Sequence, residues 1–285
     1  MTLQSSIKYN RLRQILSEIE NVVIGFSGGV DSTLLLKVAT DVLGDKALAV
    51  IGKSETYPVR EYEEAESFAK SIGANYLVVH TEETDDLKFK ENPPDRCYYC
   101  KSELFSKLSA IAAENKIKWI ADGTNKDDLQ DFRPGMKAVH EKNVRSPLLE
   151  AGLTKQDIRE ISKELSLPTW DKQSFACLSS RFPYGFGIDK EKLKKIDDAE
   201  TLLHDNGFKY FRVRHHDDKT VRIEVGKNEI EKFLDKNLRQ LLVQKIKEIG
   251  FTYITLDLEG YRTGSMNEVL TQTETENYLN NHKQI

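Results

Sequence analysis

Residues 22–37, VVIGFSGGVDSTLLLK, constrain the fold more than any other part of the chain. The β-branched apolar run 22–26 predicts a strand buried on both faces, and 33–39 predicts a helix packing back on it. The connection is short: Ser27-Gly28-Gly29-Val30-Asp31-Ser32. Its glycines allow a tight turn and a close approach of ligand to backbone, while hydroxyls and N–H groups at a helix start suit phosphate oxygens. The loop therefore reads as an anion site. It is not a Walker A loop, because no Gly-Lys-Ser/Thr follows at the required spacing, and it is not a G-x-G-x-x-G fingerprint.

Strand and helix alternate around this stretch. Residues 7–20, with Ile7, Leu12, Ile15, Leu16 and Ile19 near helical spacing, predict an amphipathic lead-in helix. Strands are expected at 47–51, 75–80 and 119–121, and helices at 59–71, 97–115 and 154–165, the last with Thr154 as N-cap and Asp157 at its third position. Such alternation predicts a parallel sheet covered on both faces, with ligands outside the carboxyl ends of the strands. Loop 27–32, segment 53–55 and the loop Asp122-Gly123-Thr124-Asn125 all fall on that edge. Residues 169–187, rich in aromatics and glycine, read as a functional loop and domain joint. Beyond Ile188 the pattern becomes α+β: helix 190–205, strands 208–214 and 220–224, a helical region 227–249 and a strand 253–258. The polar tail after Glu268 reads as a loose helix. One larger domain, 1–187, and one smaller, 188–285, follow.

Composition narrows the function. A net charge of −4 with 31% charged residues leaves no overall basic field for a long nucleic acid. No apolar run approaches the ~18 residues of a membrane-spanning helix, and the first residues lack a signal-peptide core, so the expected address is cytoplasmic. Three cysteines make disulfide stapling a poor account. Cys97 and Cys100 lie three apart at a helix start beside Arg96 and Lys101, where helix-dipole charge favours thiolate. Redox exchange, a structural zinc with an added histidine, and coincidence are open readings. Another uses Cys177 as well: three thiolates on an iron-sulfur cluster leave one iron able to bind an exogenous sulfide.

SGGVDS after a hydrophobic strand resembles the PP-loop of the ATP pyrophosphatases, which split ATP between the α and β phosphates and activate a substrate as its adenylate. The resemblance implies an α/β fold, a parallel-sheet PP-loop ATP pyrophosphatase domain followed by the small α+β domain. It implies that Ser27, Gly28, Gly29, Asp31 and Ser32 hold the pyrophosphate, with Asp31 orienting Mg²⁺. Ser54, after the second strand, contacts the nucleotide by the same resemblance, and Gly123 and Arg133 join the ATP-binding set.

Together with ADGTNKDDLQDFRPGMKA, CLSSRFPYG, RVRHHDD and LDLEGYRTGSMN, the PP-loop makes nearly the whole chain similar to the LarE family of ATP-dependent sulfur insertases. That family makes the nickel-pincer nucleotide of lactate racemase by adenylating a carboxylate of pyridinium-3,5-biscarboxylic acid mononucleotide and replacing an oxygen by sulfur. One branch sacrifices a single cysteine. Here Ala176 stands at the matching position and the cysteine is at 177. The other branch has C-x-x-C plus A-C-L, as in this chain, which implies a 4Fe-4S cluster on Cys97, Cys100 and Cys177 with sulfide on the open iron. The resemblance also implies that Arg181 and Glu200 serve the reaction, that Ser180, Arg181, Arg212 and Arg214 bind the substrate and its phosphate, and that the protein is a homo-oligomer, a hexamer or trimer of dimers. For Arg212 and Arg214, a solvated face paired with Asp217 or Glu224 is the plain alternative, and for Glu200 an exposed helix position. A PP-loop tRNA thiolase, an ammonia-dependent adenylating ligase and a nucleotide-sensing module are the other functional readings.

Overall fold

The computed structural model describes residues 2–130, 133–173, 176–262 and 265. The tail after Glu268 lies outside them. Two compact units are formed, one from Met1–Asp86 with Asp95–Phe175, the other from Leu87–Pro94 with Ala176–Ile285.

In the first unit β1 (Val22–Gly25), β2 (Ala47–Lys53), β3 (Asn75–His80) and β4 (Trp119–Ala121) form a parallel sheet in the order β3-β2-β1-β4. Strand β1 is central and its first three side chains are fully buried. Val22 and Ile24 pack on one face with Leu12, Ile15 and Leu16 of α1 (Leu3–Ile19), Leu34 and Leu35 of α2 (Val30–Leu43) and Ile158 and Ile161 of α5 (Lys155–Glu164). Helix α3 (Val59–Ser71) adds Ala65 and Phe68 to this layer. Val23 packs on the other face with Val50, Ile120 and Phe105 and Leu108 of α4 (Arg96–Glu114). Each such burial is worth roughly 1.5–3 kcal/mol, so an all-apolar strand needs helices on both sides.

Helix α2 begins at Val30, three residues before the apolar period alone places it, because extended Gly29 is its N-cap. Asp31 and Ser32 thereby stand in its first turn. Helix α5 starts with a capping box: the Asp157 N–H donates to Thr154 Oγ1 (3.2 Å) and the Thr154 N–H to Asp157 Oδ2 (2.9 Å).

The second unit holds a sheet in the order β5-β6-β7: β5 (Phe211–His215) antiparallel to β6 (Thr220–Val225), and β6 parallel to β7 (Tyr253–Leu256). Helices α6 (Lys190–Asp205) and α7 (Lys236–Ile249) accompany it. Strand β5 starts at Phe211 rather than 208 because the N–H groups of Lys209 and Tyr210 are taken by the Glu229 carboxylate at 3.0 and 2.9 Å. The helical region 227–249 is two elements, a 3-10 helix Lys227–Leu234 and α7, divided where Asp235 accepts from the Leu238 N–H at 2.8 Å. Segment 87–94 joins this unit through Ile188 N–H to Lys90 O (2.9 Å) and Asn92 Nδ2 to Pro183 O (2.7 Å). Among the described residues no helix is long and apolar enough to cross a membrane.

The cap of α5 also ties α1, since Lys8 Nζ lies 2.5 Å from Asp157 Oδ2. Burial raises the Asp157 carboxyl, but the bonds from Lys8 and Thr154 outweigh it and bring it from 3.8 down to about 2. A depressed carboxyl stabilises the fold fully above its unfolded value and loses that contribution as pH falls through the folded one. Urea midpoints of the wild type should therefore fall between about pH 4 and 2, whereas Asp157→Asn should be less stable at neutral pH and flatter across that window.

Candidate functional site

The carboxyl edge of the first unit's sheet gathers the loop residues expected there. Gly28 has φ +61°, and a Cβ on it would lie 2.8 Å from the Ala65 Cβ. Ser27 Oγ and Ser32 Oγ are 3.1 Å apart, and Ser32 Oγ donates to Gly29 O at 3.2 Å. The Tyr57 hydroxyl donates to Ser27 O at 2.6 Å. Burial, with Glu61 and Glu64 nearby, pushes that phenol upward, so it remains a donor. Gly123 closes the loop from the β4 side, where a Cβ would meet the Ser32 N at 3.1 Å. The helix start is thus fixed, and a helix start is where backbone N–H groups suit an anion.

Asp31 is half-buried, with Asn125 Nδ2 donating to its Oδ1 at 3.3 Å and Lys155 Nζ paired with its Oδ2. Arg133 lies outside this pair, 2.7 Å from Asp128 Oδ1 and largely exposed. Burial raises the Asp128 carboxyl, and Arg133 opposes it. Ser54 donates to Glu83 Oε1 at 2.6 Å, Thr56 to the same oxygen at 2.7 Å, and Cys100 Sγ stands 3.9 Å from it. Cys97 and Cys100 open α4, both half-buried. Lys155, Asn125, Tyr57 and Glu83 were not singled out by the sequence reading. Only Lys155 carries a local signal, a cation at the first position of a helix.

The second unit contains a buried ionic core. Cys177 is the half-buried N-cap of the 3-10 turn Leu178–Arg181. Arg181 is fully enclosed. Its Nε and Nη2 donate to the two Glu200 oxygens at 2.8 Å each, while Nη1 donates to Ala176 O (2.5 Å), Cys177 O (3.0 Å) and Ser180 Oγ (2.9 Å). Glu200 also accepts the Val213 N–H at 3.0 Å. Burial works against both charges, but the pair prevails: Arg181 is raised and Glu200 held below the usual carboxylate range. Glu200 is therefore no exposed helix residue, and it is a weak base.

Arg212 and Arg214 share one face of β5, yet both are buried. Arg214 pairs with Glu224 at 2.8 Å and donates to Ser265 Oγ (2.9 Å) and Ser180 O (3.1 Å). Arg212 donates to Phe211 O at 2.7 Å and lies 5.1 Å from the Tyr261 ring centroid. Burial, reinforced by the charge of Arg181, lowers Arg212 to about 10. The solvated arginine face is thus replaced by an enclosed one. His215, on the opposite face, stacks on Phe182 at 4.8 Å, and burial lowers its pKa.

A family model described as NAD synthase matches residues 6–106. An uncharacterized protein of Synechocystis sp. is 43% identical over 93% of this chain and 98% of its own length. A protein of Methanocaldococcus jannaschii, also uncharacterized, is 32% identical over 86% of this chain and 92% of its own. A pyridinium-3,5-bisthiocarboxylic acid mononucleotide synthase of Lactiplantibacillus plantarum is 41% identical over 91% of this chain and 93% of its own length. The chain belongs to the LarE family.

As a LarE family member with a PP-loop, it is an ATP-dependent enzyme. The half-buried Asp31 carboxylate suits a hard cation, and the three cysteines are half-buried, none of them in a disulfide. Cys97 and Cys100 belong to the first unit and Cys177 to the second. Within neither unit do the described residues gather three or more His, Cys, Asp or Glu side chains into a metal-binding group.

Two substitutions test these arrangements. Gly28→Ala should cost about 1–2 kcal/mol from its left-handed backbone and abolish measurable nucleotide binding, read by urea unfolding and calorimetry. Arg181→Ala leaves Glu200 buried without its counter-charge and should lower stability by about 3–5 kcal/mol in the same urea assay.

Proposed function

We propose that this protein is an ATP-dependent sulfur transferase that adenylates a carboxylate of pyridinium-3,5-biscarboxylic acid mononucleotide and converts it to a thiocarboxylate. The observation that carries the reading is the 41% identity, along nearly the whole of both chains, to the L. plantarum synthase. A carboxylate is a poor electrophile, and the PP-loop supplies the remedy. A substrate carboxylate oxygen bonds to the α-phosphorus of ATP as the bond to the bridging oxygen breaks, and pyrophosphate leaves. Ser27, Gly28, Gly29 and Ser32 hold that leaving group, and Asp31 holds the Mg²⁺ that offsets its charge. Ser54, Gly123 and Arg133 complete the nucleotide contacts. A sulfur nucleophile then bonds to the acyl carbon and AMP departs with the oxygen.

For the sulfur source we assign Cys97, Cys100 and Cys177 as the residues that would hold a 4Fe-4S cluster, a group that would supply an open iron for exogenous sulfide. Ala176 at the position of the sacrificial cysteine supports a donor that is not consumed. Arg181 acts through the backbone, holding the carbonyls of Ala176 and Cys177, so that the thiol is presented from a fixed turn. Glu200 keeps Arg181 charged and in place. Ser180, Arg212 and Arg214 supply the polar and cationic surroundings for the substrate phosphate. We further propose a cytoplasmic homo-oligomer.

The match of residues 6–106 to the NAD synthase model favours, as a second reading, an adenylating ligase that uses ammonia. Cysteine replacement separates the two. Protein isolated without oxygen should contain about four irons and at least as many acid-labile sulfides per chain. Cys177→Ala should lose both, and with them the formation of thiocarboxylate by mass spectrometry, while carboxylate-dependent pyrophosphate release persists. Absence of iron after anaerobic isolation and reconstitution would sink the cluster assignment. Ammonia-dependent amide formation, undiminished in Cys177→Ala, would favour the ammonia ligase.

A further inference from the structure

Beyond β7 the chain folds back along β6. The Asp257 N–H donates to Ile223 O at 2.9 Å, the Gly260 N–H to Asp257 O at 3.1 Å and the Tyr261 N–H to Val225 O at 2.8 Å. Gly260 makes this return possible: its φ is +73°, and a Cβ on it would stand 2.7 Å from Val225 O. Arg262 Nη1 closes the turn, 3.2 Å from Gly260 O and 3.5 Å from Asp257 Oδ1. Tyr261 is thus mounted on firmly held backbone. Its half-buried ring lies over the guanidinium of Arg212, with 5.1 Å between ring centroid and guanidinium carbon.

The three arginines of this region are held differently. Arg181 is bound by Glu200 and Arg214 by Glu224. A carboxylate fixes a guanidinium, but it also offsets the charge and takes up N–H groups. An aromatic ring attracts the cation through its quadrupole and engages only the flat face, while the N–H donors lie in the plane. It therefore brings no anion that an incoming phosphate has to displace. Arg212 needs such support, because burial and then the charges of Arg181 and Arg214 work against its own. With the ring against its face and Nη1 tied to Phe211 O at 2.7 Å, the guanidinium is oriented before an anion arrives.

We propose that Tyr261 is a positioning residue for substrate recognition, its ring setting the plane of Arg212 for the phosphate of the pyridinium mononucleotide. The proposal rests on reading Arg212 as part of the surroundings of that phosphate. What matters at position 261 is then the aromatic face and not the hydroxyl.

The test compares pyridinium-3,5-biscarboxylic acid mononucleotide with the nucleoside that lacks its phosphate. Each is titrated by calorimetry into wild type, Tyr261→Leu and Tyr261→Phe, with folding checked by circular dichroism. Tyr261→Leu should weaken the mononucleotide roughly two- to thirtyfold, the range of a cation–π contact, and leave the nucleoside within about twofold. Tyr261→Phe should bind both as the wild type does. In a double-mutant cycle Tyr261→Leu should add little to Arg212→Gln, because the ring acts through that guanidinium. Should Arg212→Gln fail to fold, the leucine and phenylalanine variants decide by themselves. Unchanged mononucleotide binding by Tyr261→Leu would overturn the proposal, as would equal weakening of both ligands, lost affinity in Tyr261→Phe or full additivity in the cycle. If the wild type bound the mononucleotide no more tightly than the nucleoside, the phosphate reading of the arginines would fall, and this assignment with it.

Discussion

A strand buried on both faces has no solvent in which to finish its backbone hydrogen bonding, and β1 is such a strand. Where it ends, the chain must turn directly into a helix that covers it. Six residues accomplish this, with Gly28 in the left-handed region and Gly29 as the helix cap. The N–H groups of the first turn cannot be satisfied inside the helix, so they face outward as a ready anion site. Packing then protects the geometry. Ala65 and Gly123 leave no space for larger neighbours at Gly28 and Ser32, and Tyr57 holds the Ser27 carbonyl. Loops after β2, β3 and β4 are brought to the same edge by parallel pairing alone.

The second unit depends on a different interaction. Arg181 and Glu200 are each almost without solvent, so neither charge is tolerable without the other. Their bidentate contact joins the 176–181 turn to α6, and the Val213 N–H joins β5 to the same carboxylate. A cysteine in an ordinary surface turn would sample many positions. Here the carbonyls flanking it are held by a guanidinium that is itself fixed by helix and strand, which restricts the thiol without touching it.

Much of this architecture was legible from periodicity. The strands 75–80 and 119–121 and the helices 59–71 and 190–205 coincide with the observed elements, because each is a plain apolar pattern with ordinary ends. The starts of α2 and β5 were not legible, since one is decided by a glycine cap and the other by a distant glutamate that captures two strand N–H groups. The PP-loop is local and could be read as six contiguous residues. Lys155 and Asp31 are 124 positions apart, and nothing in either neighbourhood announces the other. Arg181 and Arg214 were visible as cations, but their burial and their carboxylate partners depend on tertiary packing that one sequence does not display.

The NAD synthase model stops at residue 106, whereas similarity to the L. plantarum synthase continues through nearly the whole chain. What the first match covers is the 27–32 turn, β1 to β3 and the paired cysteines Cys97 and Cys100. Recognition of one particular substrate has to draw on residues beyond it. There the protein keeps three arginines packed about two glutamates, with Arg212 lowered to about 10 by burial and by the charge of Arg181. Such crowding of positive charge is unfavourable in isolation and becomes favourable when an anion shares the site. A carboxylated, phosphorylated small molecule has that character, which is the physical ground for proposing these arginines as its surroundings.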